Sequence, residues 1–103
     1  MSLRNKQSKF TLMIAQLIYW AHAHGYELTF GDCYRDDRCA YGLDNSLHKY
    51  RLAVDLNLFK DGRYLTKTSE HLPLGEYWES IGGTWGGRFE DGNHYSLEHN
   101  GIK

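Results

Sequence analysis

Cysteine is scarce in this chain. Only Cys33 and Cys39 occur in 103 residues, too few for a disulfide framework, and a single bridge would need an oxidising compartment. They read as thiols. Excess positive charge is missing too: the formal net charge is -1, which removes the electrostatic footprint of a nucleic-acid binder. No apolar run approaches the ~20 residues that span a bilayer, so no membrane insertion is expected. The N-terminal stretch lacks the basic, apolar and small-residue order of a signal peptide, and the expectation is synthesis as a soluble cytosolic protein. Repeats and linkers are also lacking, and the length leaves room for one domain, residues 1–103, with a modest core.

What is present is a globular composition, 41% hydrophobic with 15% aromatic residues, above the range of disordered chains. Phe10, Met13, Ile14, Leu17, Ile18 and Ala21 recur at three- and four-residue intervals, which predicts a helix from about Ser8 to His24, ended by Gly25. Tyr26, Leu28 and Phe30 then alternate with Glu27, Thr29 and Gly31, the period of a half-buried strand running on into Asp32-Cys33-Tyr34-Arg35. A polar loop, Asp36 to Asn45, follows. Arg51 to Phe59 reads as a second strand, and Lys60-Asp61-Gly62-Arg63 carries the signal of a tight hairpin back into Tyr64-Leu65-Thr66. A short helix is expected from about Glu70 to Ser80, with Pro73 in its first turn and Gly82-Gly83 as its stop. A last strand lies near His94 to Leu97. Together these predict an α+β fold, a small antiparallel sheet packed with helices.

One strand carries an anomaly. In "SLHKYRLAVDLNLF", Ser46 to Phe59, Asp55 interrupts an apolar run. Leu52, Val54, Leu56 and Leu58 point to one face, and Ala53, Asp55 and Asn57 to the other. Asp55 therefore leaves the core face intact, and its own face suits either the floor of a site or a strand edge facing water. His48 stands seven residues earlier, about 23 Å away if the chain is extended. The two can share a metal ion only if the chain bends near Lys49 to Arg51, and a third ligand must then come from elsewhere.

The other histidines sort by context. His22 and His24 end a helix, where cations favour its dipole, and read as surface residues. His71 and His99 read as solvated. His94 differs, because it opens a strand directly after the turn Asp91-Gly92-Asn93, with two glycine pairs and Trp85 upstream. Asp91, three residues before His94, is either the polar residue of an Asp-Gly turn or a carboxylate placed to accept a proton. A catalytic zinc site keeps three protein ligands and an open position for water, and a nearby carboxylate takes the water's proton as it attacks a carbonyl.

Ser46, His48, Ala53 and Asp55 follow the pattern S-x-H-x-x-G-x-A-x-D, Asp91 and His94 follow a later acid-x-x-H, and Tyr34-Arg35 closes an earlier strand. In these features the chain resembles the zinc peptidases of bacterial cell-wall peptides, which include D-Ala-D-Ala carboxypeptidases and dipeptidases and phage L-alanyl-D-glutamate endolysins. The resemblance covers roughly Tyr26 to Leu97 and is greatest to the small phage and prophage members. It implies a hedgehog/DD-peptidase-like fold, with zinc bound by His48, Asp55 and His94. Asp91 would be the general base and later the acid, Arg35 would hold the substrate or polarise its carbonyl, and Ser46 would support the site by hydrogen bonding.

Arg51 departs from the pattern, standing where the family has glycine, at the bend the geometry requires. A non-glycine residue is costly there if the bend needs positive φ. A rival structural site of Cys33 and Cys39 with His48 lies outside the usual zinc spacing. The resemblance implies a monomer that hydrolyses an amide bond in the peptide stem of peptidoglycan, as an endolysin released to the cell wall by a separate membrane-permeabilising protein. A D-Ala-D-Ala carboxypeptidase and a non-catalytic, metal-containing cell-wall binding module are the alternatives.

Overall fold

The first helix begins ahead of its apolar stripe. In the computed structural model, which describes residues 2–31 and 47–103, the Ser2 side chain accepts a hydrogen bond from the Asn5 N–H at 3.1 Å. Helix α1 then runs Leu3–Ala23. Its first turn has no apolar period to mark it, so periodicity alone places the start near Ser8, one turn too late. The expected stripe is the buried one: Phe10, Met13, Ile14, Leu17 and Ala21 face inward, with Ile18 packed beside them. Each large apolar side chain so buried contributes on the order of 1.5–3 kcal/mol. Gly25, at φ +85°, ends the helix in the left-handed conformation that glycine adopts most cheaply.

Strand β1 (Tyr26–Phe30) returns along β2 (Ala53–Lys60) as an antiparallel pair, with Tyr26 opposite Lys60 and Phe30 opposite Leu56. The Asp-Gly hairpin forms as expected. Asp61 and Gly62 have φ of 53° and 78°, the two positive values of a type I′ turn, and β3 (Arg63–Leu65) pairs back on β2. A 3-10 turn over Thr68–His71 leads into α2 (Leu72–Ser80), with Pro73 in its first turn, so the expected helix is split in two. Two residues, Thr84–Trp85, form a strand β4 that no pattern announces, and β5 is His94–Ser96. The sheet order is β1-β2-β5-β4, with β3 sharing β2's edge with β5.

On β2, Val54, Leu56 and Leu58 are buried and Asp55 and Asn57 are only half-buried, as the alternation requires. The helices close over the apolar face. Trp78 of α2 meets Phe10 of α1 and Tyr95 of β5 edge-on, with ring centres 5.8 and 6.1 Å away. Trp85 lies on α2 at Gly75, where an added Cβ would come within 2.1 Å of the indole. His71 corrects an expectation: it is 2% exposed, and its Nδ1 lies 2.8 Å from the Tyr95 hydroxyl. No helix among the described residues is long and apolar enough to cross a membrane. Cys33, Tyr34, Arg35, Cys39, Ser46 and the loop Asp36 to Asn45 lie outside the described residues.

Candidate active site

Six residues lie between His48 and Asp55, and the chain folds back on itself to bring the two together. Leu47–Tyr50 form a 3-10 turn, the Arg51 N–H donates to the His48 carbonyl at 3.2 Å, and the Leu52 N–H donates to the Leu47 carbonyl at 2.9 Å. Arg51 carries the reversal at φ +57°. The bend therefore needs the left-handed conformation, and this chain builds it without the family's glycine.

The third residue arrives by register. Asp55 and His94 are direct partners of the β2–β5 pairing, so their side chains rise on the same face about 5 Å apart at Cβ. Asp55 Oδ1 lies 3.4 Å from His48 Nε2 and 3.4 Å from His94 Nδ1, and the three ligand atoms lie within 4.8 Å of one another. His48 and His94 are 2% and 8% exposed.

These atoms fit a cation better than they fit one another. Ligands held at about 2.0–2.1 Å in a tetrahedron stand about 3.3–3.4 Å apart, which is the separation found on both edges. Buried Asp55 Oδ1 makes no hydrogen bond to any described residue, although an imidazole nitrogen flanks it on either side. A buried carboxylate oxygen without a hydrogen bond is costly, and a shared metal removes that cost. Two imidazoles and one carboxylate form a donor set that suits zinc. Burial by itself raises the Asp55 pKa, but contacts from His48 and His94 outweigh it and hold the carboxyl well below the usual carboxylate range. It stays ionised, as a ligand must.

Asp91 stands at the rim. Its side chain is 54% exposed, with Oδ2 4.0 Å from His94 Nδ1, so it borders the three ligands while remaining open to water. The turn that carries it is tied at several points. The Asp91 N–H donates to the Gly86 carbonyl at 2.9 Å, and the His94 N–H donates to the Asp91 carbonyl at 3.1 Å. Trp85 Nε1 donates to the Gly92 carbonyl at 2.8 Å, and the Gly92 N–H donates to Thr68 Oγ1 at 3.2 Å. A Cβ at Gly86 would stand 2.2 Å from the Asp91 carbonyl oxygen and 2.7 Å from His94 Cβ. Glu90 precedes Asp91 in the left-handed region, φ +63°, and lines the same cavity as Asp91, but of the two only Asp91 forms an ion pair with His94 among the described residues. Both readings of Asp91 thus hold together: it is a turn residue, and the turn aims its carboxylate at the ligands.

Of the residues singled out in the sequence, the structure brings together His48, Asp55, His94 and Asp91. Arg35 and Ser46 lie outside the described residues. Sequence reasoning did not find Thr68, Trp85 and Gly86 as supports of the turn; the glycine pairs around Trp85 were the available signal, since small residues in tandem beside an indole mark close packing.

No curated protein matches the chain. A family described as D-alanyl-D-alanine carboxypeptidase matches residues 41–97, a stretch holding all three ligand candidates and Asp91; Arg35 precedes it. That match spans more than half of the 103 residues, and the protein belongs to the D-alanyl-D-alanine carboxypeptidase family of peptidases.

Proposed function

We propose that this protein is a zinc peptidase that hydrolyses an amide bond in the peptide stem of bacterial peptidoglycan, and specifically a phage endolysin cutting between L-alanine and D-glutamate. The observation that carries the catalytic part is the convergence of His48 Nε2, Asp55 Oδ1 and His94 Nδ1, with Asp91 open to water beside them. His48, Asp55 and His94 hold the metal, which when bound supplies Lewis-acid activation of water and of the scissile carbonyl. Asp91 accepts the proton of the attacking water and delivers it to the leaving amine as the C–N bond breaks. Arg35 grips a substrate carboxylate or the developing oxyanion, and Ser46 steadies the ligand set by hydrogen bonding. The enzyme acts as a monomer on the cell wall after release from the cytoplasm.

The family's own description favours a second reading, removal of a terminal D-alanine. Digestion of purified peptidoglycan with mass identification of the fragments separates the two, since an endopeptidase releases peptide stems and a carboxypeptidase releases free D-alanine. The absence of any released fragment from zinc-loaded protein would leave a binding module as the better account. Asp91→Asn tests the mechanism: it should retain zinc, melt near the parent and lose about 100-fold or more in rate, the scale of general-base catalysis. Glu90→Gln should change little. An active Asp91→Asn beside a dead Glu90→Gln would move the proton shuttle to Glu90.

A further inference from the structure

β3 and β5 share one edge of β2 without meeting. β5 pairs with Ala53 to Asp55 and β3 with Leu58 to Lys60; past the Leu56 N–H, which donates to the Asn93 carbonyl at 2.9 Å, the edge opens before Leu58. A cavity of about 200 Å³ fills this gap, lined by Asn57, Tyr64, Thr68, His71, Asp91 and Asn93 among others. It adjoins the candidate active site through Asp91, the residue placed to hand a proton to the leaving amine.

The polar groups of this cavity are arranged in a chain. Tyr64 Oη donates to Asn57 Oδ1 at 3.3 Å, and Asn57 Nδ2 donates to Thr29 Oγ1 at 3.2 Å. Asn57 keeps a second amide hydrogen and Tyr64 Oη keeps its lone pairs, a donor and an acceptor side by side. That pairing complements a backbone amide. Among the described residues the lining contains Glu90 and Asp91 but neither lysine nor arginine, a balance that disfavours a terminal carboxylate. Asn57 lies two residues beyond Asp55 on the same face of β2, about 7 Å along the strand, which is also the two-residue repeat of an extended peptide.

We propose that this cavity receives the part of the substrate on the C-terminal side of the cut, and that Asn57 and Tyr64 determine specificity by hydrogen bonding a backbone amide about two residues past it. The proposal rests on the peptidase reading for the direction of the substrate: the leaving amine sits at Asp91, so the residues that carry it continue into the space Asp91 borders. Substrates whose chain continues past the cut are preferred over those that end there in a free carboxylate.

The test uses a synthetic stem pentapeptide and its C-terminal truncations, bound to the zinc-loaded Asp91→Asn protein so that no turnover intervenes. Adding Tyr64→Phe or Asn57→Ala should weaken binding of the full peptide about 5- to 10-fold, the effect of one or two hydrogen bonds, with zinc content and melting temperature unchanged. The shortest truncation should bind weakly and alike to all variants. In the otherwise unaltered enzyme the same substitutions should raise KM and leave kcat within about twofold, since the contact is made equally before and during the reaction. Full-length peptide that binds all variants equally, or truncations that bind as tightly as the full peptide, would overturn the proposal. Binding that depends on Asn57 without cleavage by the parent would keep the subsite and sink the peptidase reading. Cleavage indifferent to Asn57 and Tyr64 would do the reverse, and no binding with no cleavage would remove both.

Discussion

Arg51 holds the bend that lets His48 reach Asp55, at φ +57°, near the centre of the left-handed region. For an L residue that conformation costs roughly 1–2 kcal/mol. Glycine escapes the cost but gives the unfolded chain more freedom, which returns about 0.4–1 kcal/mol of it. Arg51→Gly should therefore be more stable than Arg51→Ala by about 0.5–1 kcal/mol. The comparison is made between the two variants because both lose the guanidinium and its contacts, so the difference isolates the backbone. For a domain of this size that is about 2–6 °C in melting temperature, readable by calorimetry or by denaturant midpoint at constant slope. Arg51→Pro, locked near -65° and without the N–H that donates to His48, should disrupt the bend and lose metal. An alanine variant as stable as the glycine variant would refute the strain argument, and a proline variant with full metal affinity would show that the bend does not position His48.

Gly86→Ala should destabilise the protein by about 1–3 kcal/mol, an overpacking cost, and weaken metal binding as well, because the new methyl collides with both Asp91 and His94; melting curves with and without zinc separate the two effects. Zinc at about 100 times its dissociation constant should stabilise the fold by about 2.7 kcal/mol, and a chelator should lower the melting temperature by about 10 °C, whereas His94→Ala should melt identically with and without chelator. Burial lowers the His71 pKa against the opposing pull of Glu70 and the Leu65 carbonyl. The unfolded state therefore takes up its proton first, near pH 6.5, and stability that is complete above that pH falls as the solution is acidified through it. His71→Gln should flatten this slope below about pH 6.5, and a slope identical to the parent's would assign the acid sensitivity to other groups.

Where a signal is local and periodic, the sequence declares the structure. The α1 stripe from Phe10 to Ala21, the Asp61-Gly62 hairpin and the alternation that puts Asp55 opposite the core all appear as read. Signals that depend on distant partners do not. α1 starts at a serine cap that periodicity does not register, and β4 is two residues long because it exists only by pairing with β5. His71 looks solvated in the first turn of a helix until Tyr95, 24 residues on, supplies a buried hydroxyl. The ligand candidates were legible as a joint pattern, since His48, Asp55 and His94 each sit at a bend or strand position the pattern specifies. The turn's supports, Thr68 and Trp85, were not, because a hydroxyl and an indole become anchors only once α2 has folded between them.

The pairing of Asp55 with His94 would also make a bound metal a gauge of assembly. A strand shifted by one residue presents its opposite face, so a molecule whose β5 docked one position out would turn His94 into the core and Tyr95 toward water. Such a molecule could retain most of its helix content and still hold no complete ligand set. Zinc would then discriminate among folded-looking species, drawing the population toward the one register that can bind it. A peptidase with the proposed metal site would stay silent until its last strand is correctly seated, and metal content per chain would count the correctly assembled molecules where helix content cannot.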